Sequence, residues 1–426
     1  MSYPDTYYKR TLAEDKVRPV LTGTAECDAV IIGGGLAGLT TALQLTRAGH
    51  AVVVLEAESI GFGASGRNGG FVSPGFAIGS DQIARVAGAE AARKIHLLSI
   101  EGVDFVRDTI RDLAIKEARP QPGLMSVLRY DDGESLKAHV EHMALAYGYE
   151  LEYLGREQVR SVLKSERYFQ GLRDPSAFHM HPLNYLRGVA AEIERSGGRI
   201  YERSAATASA LAGAEKIVRT AEGQVRARHV VFTTGGYTGS LNSRLKRAFL
   251  PIATYVMLSE EAPDLIREAI ATTDAIGDNR RAGDYYRLVD SGKRLLWGGR
   301  ITTRAASPAA LARELRREMT GTYPQLSGLR TELAWSGLMS YARHLMPQIG
   351  EMQPGVWHCT AFGGHGLNTT AIGGKLVAEG ILGESDRYRL LQPFGLVWAG
   401  GLAGLAVAQL TYWKLQAQDW WRERAA

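Results

Sequence analysis

Gly33, Gly35 and Gly38 follow a short apolar, β-branched run at residues 29–32, and an acid, Glu56, ends the next apolar run at residues 51–55. The glycine spacing is G-x-G-x-x-G. A glycine at the first position allows a tight turn out of a strand. At the second it lets the backbone approach a pyrophosphate, and at the third it lets a helix pack close on the sheet. The pyrophosphate would rest at the helix N-terminus, where free N–H groups and the helix dipole favour negative charge. Glu56, about twenty residues on, is placed to accept from both ribose hydroxyls and to repel a 2′-phosphate. Residues 36–47 have the apolar spacing of a helix, Gly49 is a stop signal, and residues 52–55 read as a second buried strand. Strand, turn, helix, strand and acid together predict a dinucleotide-binding unit and, with it, redox chemistry. The plain alternative is a glycine-rich turn in some other α/β unit.

The chain that must hold this turn has 426 residues, enough for two or three domain-sized units. Its 45% hydrophobic and 22% charged residues are an ordinary globular balance. The 50 basic and 45 acidic residues are interspersed, so a mixed solvated surface is expected rather than a nucleic-acid footprint. Two cysteines, Cys27 and Cys359, exclude a disulfide framework and fit a reducing cytoplasm. Residues 1–20 contain no apolar h-region, so no secretory signal is expected. No metal site is read from the chain. Residues 394–413 are mostly apolar, uncharged, and long enough to span a bilayer. Gly395, Gly400, Gly401, Gly404 and Gln409 nevertheless suit a helix packed on protein, and Lys414, Arg422 and Arg424 follow. A buried or partner-docked C-terminal helix is the expectation; a membrane-surface contact and a spanning helix are the alternatives.

Along the chain, residues 1–25 read as an irregular arm and 26–75 as the dinucleotide unit. Residues 81–118 and 134–165 have helical spacing, with a strand at 124–130 between them. Residues 184–195 read as a helix stopped by Gly197-Gly198. A hairpin is expected at 217–228, then a buried strand at 229–233 ending in Thr234-Gly235-Gly236. Residues 250–335 alternate strand-like runs with one helix at 308–318, as in an antiparallel sheet of a separate unit. A strand at 355–359 and a glycine-rich loop then open a helix that runs to about residue 381.

Four segments in this order resemble the glycine oxidase, sarcosine oxidase and D-amino-acid oxidase superfamily of FAD enzymes. They are residues 32–38 with Glu56, residues 61–70 (Gly-Phe-Gly-Ala-Ser-Gly-Arg-Asn-Gly-Gly), residues 230–237, and residues 363–370. Tyr285-Tyr286-Arg287-Leu288, Leu296-Trp297-Gly298-Gly299-Arg300 and Met346-Pro347-x-Ile349-Gly350 are similar to its γ-glutamylputrescine oxidoreductase branch. The resemblance covers about residues 26–390. It implies an α/β (α+β) fold, a Rossmann-type FAD-binding domain with an inserted antiparallel-sheet substrate domain. The expected FAD-binding parts are 1–80, 176–250 and 337–390, the substrate parts 81–175 and 251–336, and the apolar C-terminal helix and tail 391–426.

The resemblance also implies a cofactor and a chemistry. The cofactor is FAD, contacted by Gly33, Gly35, Leu36, Ala37, Gly38, Glu56 and Ala57 of the first unit. Ser65, Gly66, Arg67, Asn68 and Gly69 are expected at the pyrophosphate and flavin edge, with Ala206, Thr234 and Gly235 beside them. Gly364, His365, Gly366, Leu367, Asn368 and Thr369 would aim backbone N–H groups at the flavin C2 carbonyl, where a helix N-terminus favours negative charge. Arg67 as a solvated loop residue and His365 as a structural one are the plain readings beside these. The implied reaction moves a hydride from a C–H beside a neutral amine to flavin N5, giving an imine that hydrolyses. Tyr285, Tyr286, Trp297, Arg300 and His365 are the candidate catalytic residues, with Arg287 or Arg300 available to meet a carboxylate. O2 or a quinone-like compound would accept the electrons. Oxidation of an imino or amino acid, and a non-catalytic FAD protein within a complex, are the competing readings.

Three departures from the family pattern qualify this. No cysteine lies near Gly337, where some relatives attach flavin, so a non-covalent cofactor is expected. The lysine that activates oxygen in those relatives falls at Leu296 or Trp297. A lysine that clamps substrate carboxylate falls at Asn368, which argues against simple N-methylglycine chemistry.

Overall fold

The strand Gly23–Ile32 sits inside an eight-stranded sheet, paired in parallel with Val52–Leu55 on one side and Gly223–Phe232 on the other. The computed structural model describes residues 3–280, 283–302 and 307–425, with backbone alone at 300–302, 308 and 425. Beyond Val52–Leu55 lies Arg199–Tyr201; beyond Gly223–Phe232 lie Val356–Thr360 and Gln348–Gln353. Parallel strands need crossovers, and the first is the helix Leu36–Arg47. Val52–Leu55 is buried on both faces, which is why it reads as an unbroken apolar run. Ile31, Val52 and Val54 pack under the helices Leu36–Arg47, Ala89–Asp112, Pro182–Arg195 and Leu367–Leu382. Val30, Ile32, Val53 and Leu55 turn the other way, towards Val218 of the antiparallel strand Lys216–Arg219.

A second sheet of nine strands runs in the order Thr331–Tyr341, Leu250–Ser259, Arg294–Thr302, Tyr285–Val289, Ala275–Asp278, Gln121–Val127, Gly171–His179, Phe71–Val72, with Glu152–Leu154 on Gly171–His179. Its pairs are antiparallel except that between Ala275–Asp278 and Gln121–Val127. One face packs on the helix Pro308–Thr322 through Met257, Tyr286, Trp297 and Tyr323. The opposite face carries Tyr285, Leu296 and Trp335. This is the expected α/β (α+β) architecture: a Rossmann-type sheet with an antiparallel sheet inserted into its chain path. Phe71–Val72 and residues 337–341 pair in the second sheet, although the sequence reading put them with the first.

Three elements differ from the sequence reading. The helix expected over 81–118 is two helices, Ser80–Ala87 and Ala89–Asp112, parted by Gly88 at φ +86°. Within 134–165, Glu152–Leu154 is a strand three residues long, too short for periodicity to reveal. The C-terminal helix Gly401–Ala425 is not buried: Leu402 is 87% exposed and Trp421 72%. No helix among the described residues is long and apolar enough to cross a membrane.

Candidate active site

The dinucleotide turn is built as its spacing requires. Gly33 has φ +115°, and a Cβ there would lie 2.7 Å from the Thr233 carbonyl oxygen. A Cβ at Gly38 would lie 2.1 Å from the Gly33 carbonyl oxygen, so the helix approaches the turn as closely as backbone allows. Gly35 differs: its Cβ would meet only the Ser65 hydroxyl, at 3.1 Å, and otherwise open space in the cavity. The Gly34 N–H donates to Glu56 Oε2 at 2.7 Å and the Glu58 N–H to Oε1 at 2.9 Å. Burial pushes the Glu56 carboxyl up to about 7 against these two hydrogen bonds.

The loop at 61–70 folds over this helix start. Ser65 Oγ accepts from the Leu36 N–H at 3.0 Å. Asn68 ties the loop to itself, donating to the carbonyls of Ala64 and Ser65 at 3.0 and 2.8 Å and accepting from the Gly70 N–H at 2.7 Å. A Cβ at Gly66 would lie 2.2 Å from the Gly61 carbonyl oxygen, so this glycine closes the loop. Arg67 is 6% exposed and is no solvated residue. Its Nη2 donates to the Tyr237 hydroxyl at 2.7 Å, and its guanidinium carbon stands 4.9 Å from the Phe62 ring centroid. Its Nε is buried with no hydrogen-bond partner, and no ion pair among the described residues includes Arg67.

Turn, loop and both glycine-rich returns open on one cavity of about 1570 Å³. Gly33, Gly35, Leu36, Ala37, Glu56 and Ala57 line it from the first unit, and Ser65, Arg67, Asn68 and Gly69 from the loop. Ala206, Thr234 and Gly235 line it beside Thr233, and Gly364, His365, Gly366, Leu367 and Asn368 line it where the helix Leu367–Leu382 begins. Gly38, Gly66 and Thr369 do not line it; they hold backbone turns, the Thr369 hydroxyl bonding to the His365 carbonyl. The Asn368 amide donates to the Ser99 carbonyl at 3.1 Å, so that side chain anchors the loop. Burial lowers the His365 pKa, keeping its imidazole neutral.

On the second sheet the candidates divide by strand parity. Tyr285 lines the cavity, its phenol pushed up to about 12 by burial. Tyr286 and Trp297 do not. Neighbouring strand residues point to opposite faces, and both lie in the core on the far face. Their rings are stacked, 4.2 Å between centroids and 4° apart in plane, and the Tyr286 hydroxyl meets those of Tyr168 and Tyr323 at 3.0 and 2.7 Å. Arg287 is committed to structure, donating to the carbonyls of Gly69 and Met180 at 2.7 and 2.9 Å and to the Tyr8 hydroxyl at 3.1 Å. The Arg300 side chain lies outside the described residues. Neither Leu296 nor Trp297 lines the cavity, and among the described residues no lysine does. Cys359, on the cavity wall, is 1% exposed and packs against Gly373; burial pushes its thiol well up.

Sequence reading missed Asp284, Asp278, Thr254 and Tyr341, which line the cavity with Tyr285. Arg280 bridges the two carboxylates, reaching Asp278 Oδ2 at 2.7 Å and Asp284, and also Glu318 at 3.0 Å. Burial pushes the Asp284 carboxyl up to about 7 despite this partner. The only signal in the chain was its place directly before Tyr285.

Residues 28–380 match the family model described as "DAO: FAD dependent oxidoreductase". The chain belongs to this family. It is 33% identical over 388 residues to the γ-glutamylputrescine oxidoreductase of Escherichia coli strain K12, covering 91% of each chain. It is 31% identical to a probable oxidoreductase, OrdL, of Rhizobium meliloti, over 91% of this chain and 90% of that one. Among solved structures, glycine oxidase from Geobacillus kaustophilus superposes with a TM-score of 0.73 at 18% identity, over 88% of this chain and 99% of that one. The L-proline dehydrogenase of P. horikoshii gives 0.70 at 19%, over 88% and 100%.

This DAO family member is therefore an FAD-dependent oxidoreductase, and its residues fit the cofactor. Gly35 leaves room for a pyrophosphate, the buried Nε of Arg67 has no partner, and each Glu56 oxygen keeps a lone pair beyond its backbone bond. Glu56 is expected to give FAD binding a pH dependence. The ionised carboxylate is the form that accepts from ribose hydroxyls. Below about pH 7 the free protein holds a proton there that binding must release, so Kd rises by up to about tenfold per pH unit as pH falls. Titrating apoprotein with FAD across this range, read by quenching of flavin fluorescence, measures it. Glu56→Gln is expected to flatten the profile; a wild-type Kd unchanged below pH 7 contradicts this role.

Proposed function

We propose that this enzyme oxidises an amine of the γ-glutamylputrescine kind, with a polar group at the far end of its alkyl chain, to an imine that hydrolyses. The observation that carries the reading is a 33% identity with a γ-glutamylputrescine oxidoreductase that extends over 91% of both chains. The shape of the site supports it, because the cavity runs on from the dinucleotide turn to Tyr285, Tyr341 and Asp284. FAD, when bound, supplies the hydride acceptor.

The chain's own groups position the substrate and keep water from it. Tyr285 and Tyr341 offer aromatic walls to an alkyl chain, and a hydride donor held in place needs no strong base beside it. His365, neutral through burial, sets no positive charge against the amine. Asp284 at the far wall offers an acceptor for an ammonium group. With Asn368 tied to Ser99 and Arg287 tied to the backbone, neither is free to clamp the carboxylate of a small amino acid. Electrons then pass to O2 or a quinone-like acceptor.

The test compares substrates. kcat/KM for γ-glutamylputrescine is expected to exceed that for sarcosine, glycine or proline by about two orders of magnitude, since an unfilled pocket forfeits several contacts. Equal or better turnover of sarcosine or proline would sink the assignment and favour the imino-acid reading.

A further inference from the structure

We propose that the C-terminal helix Gly401–Ala425 docks this enzyme on the surface of an anionic lipid bilayer. The helix does not reserve its apolar side chains for the protein beneath it. Its inward side mixes Leu405, Tyr412 and Leu415 with Gln409, Gln416, Asp419 and Glu423, and the Glu423 carboxylate lies 3.6 Å from Arg129 Nε and 3.9 Å from Arg280 Nε. Its outward side carries Leu402, Leu410, Trp413, Trp420 and Trp421, with Trp398 just before it. Among the described residues, eight of the thirteen large apolar side chains exposed to solvent fall between residues 397 and 421. Scattered singly, such side chains need no explanation; gathered along one helix they mark a surface with a partner.

Charge decides which partner. Lys414, Arg422 and Arg424 are exposed, while both acids of the helix, Asp419 and Glu423, face inward. The Arg424 guanidinium stacks 3.9 Å from the Trp420 ring, so cation and aromatic ring are presented together. A second copy of the chain would bring like charges face to face. An anionic bilayer offers an apolar phase for the tryptophan and leucine side chains, counter-charge for the three cations, and an interface where tryptophan is favoured. The helix would lie in the plane of that interface, since no described helix is apolar enough to span. Leu415 lines the catalytic cavity from the inward side of the same helix, so docking holds the cavity against the bilayer.

Flotation of the holoenzyme with vesicles tests this. Vesicles of phosphatidylcholine with about one-third phosphatidylglycerol are expected to carry the protein up, vesicles of phosphatidylcholine alone much less, and high salt should release it. A triple variant, Trp413→Glu, Trp420→Glu and Trp421→Glu, should bind these vesicles about tenfold or more weakly, with amine-driven flavin reduction unchanged. A second variant, Lys414→Glu with Arg424→Glu, leaves every apolar side chain in place and should also lose the anionic preference. Absence of flotation with either vesicle overturns the proposal, as does binding that neither variant weakens. A dimer in sedimentation equilibrium that the tryptophan variant dissolves would overturn it too, naming a second copy as the occupant.

Discussion

Replacing Gly35 with valine is expected to yield a folded protein that binds no FAD. The three glycines of the turn would not respond alike. At Gly33 and Gly38 a Cβ would strike backbone oxygen at 2.7 and 2.1 Å, so a larger residue there disturbs the sheet and helix themselves. At Gly35 a side chain meets only the Ser65 hydroxyl and then projects into the cavity. Valine therefore occupies the space into which the pyrophosphate must come, and keeps it from the helix N-terminus. The overlap and the lost charge-assisted hydrogen bonds together cost several kcal/mol, or at least about two orders of magnitude in FAD affinity. Purification with a circular dichroism spectrum like wild type, but no absorbance above the protein band, is the expected outcome. A Gly35→Val protein that holds FAD normally places the cofactor elsewhere.

Replacing Arg67 with methionine is expected to separate binding from stability. Arg67 is 6% exposed, has an unpartnered Nε and enters no ion pair among the described residues. A buried cation without a counter-ion is costly in the free protein, and an apolar side chain of similar length removes that cost. The apoprotein of Arg67→Met should therefore melt at or above the wild-type temperature, even with the Tyr237 hydrogen bond lost. In the loaded enzyme the same cation is expected to meet an anion, either the pyrophosphate or a charged substrate group. Truncating one partner of a desolvated pair costs about 2–5 kcal/mol, so FAD affinity or substrate KM should worsen by about thirtyfold or more. Scanning calorimetry of the apoprotein, with titration of FAD and then of amine, reads both arms. A destabilised apoprotein with unchanged FAD and substrate affinity would show Arg67 to be structural.

These outcomes rest on features of unequal legibility. The dinucleotide turn was plain in the sequence because its chemistry is local: a pyrophosphate, a helix start and an acid must stand at fixed offsets along one βαβ unit. Strand parity on the second sheet was not. Tyr285 and Tyr286 are alike in type, and only the position of the cavity relative to the sheet decides that one lines it while the other stacks on Trp297 in the core. Arg287 misled for the same reason, since its partners Gly69, Met180 and Tyr8 come from distant parts of the chain. Arg67 was open to two readings until its burial was known. The apolar C-terminal run showed which residues avoid water, but not that Trp398, Leu402, Leu410 and Trp413 among them face away from the protein.

The most direct test of the account is anaerobic mixing of the holoenzyme with γ-glutamylputrescine while flavin absorbance near about 450 nm is followed. The account predicts complete bleaching at a rate that saturates with amine concentration, and return of the yellow colour when an electron acceptor is admitted. A spectrum left unchanged by this amine, and by every other amine and amino acid offered, would contradict it and leave an FAD protein without amine chemistry.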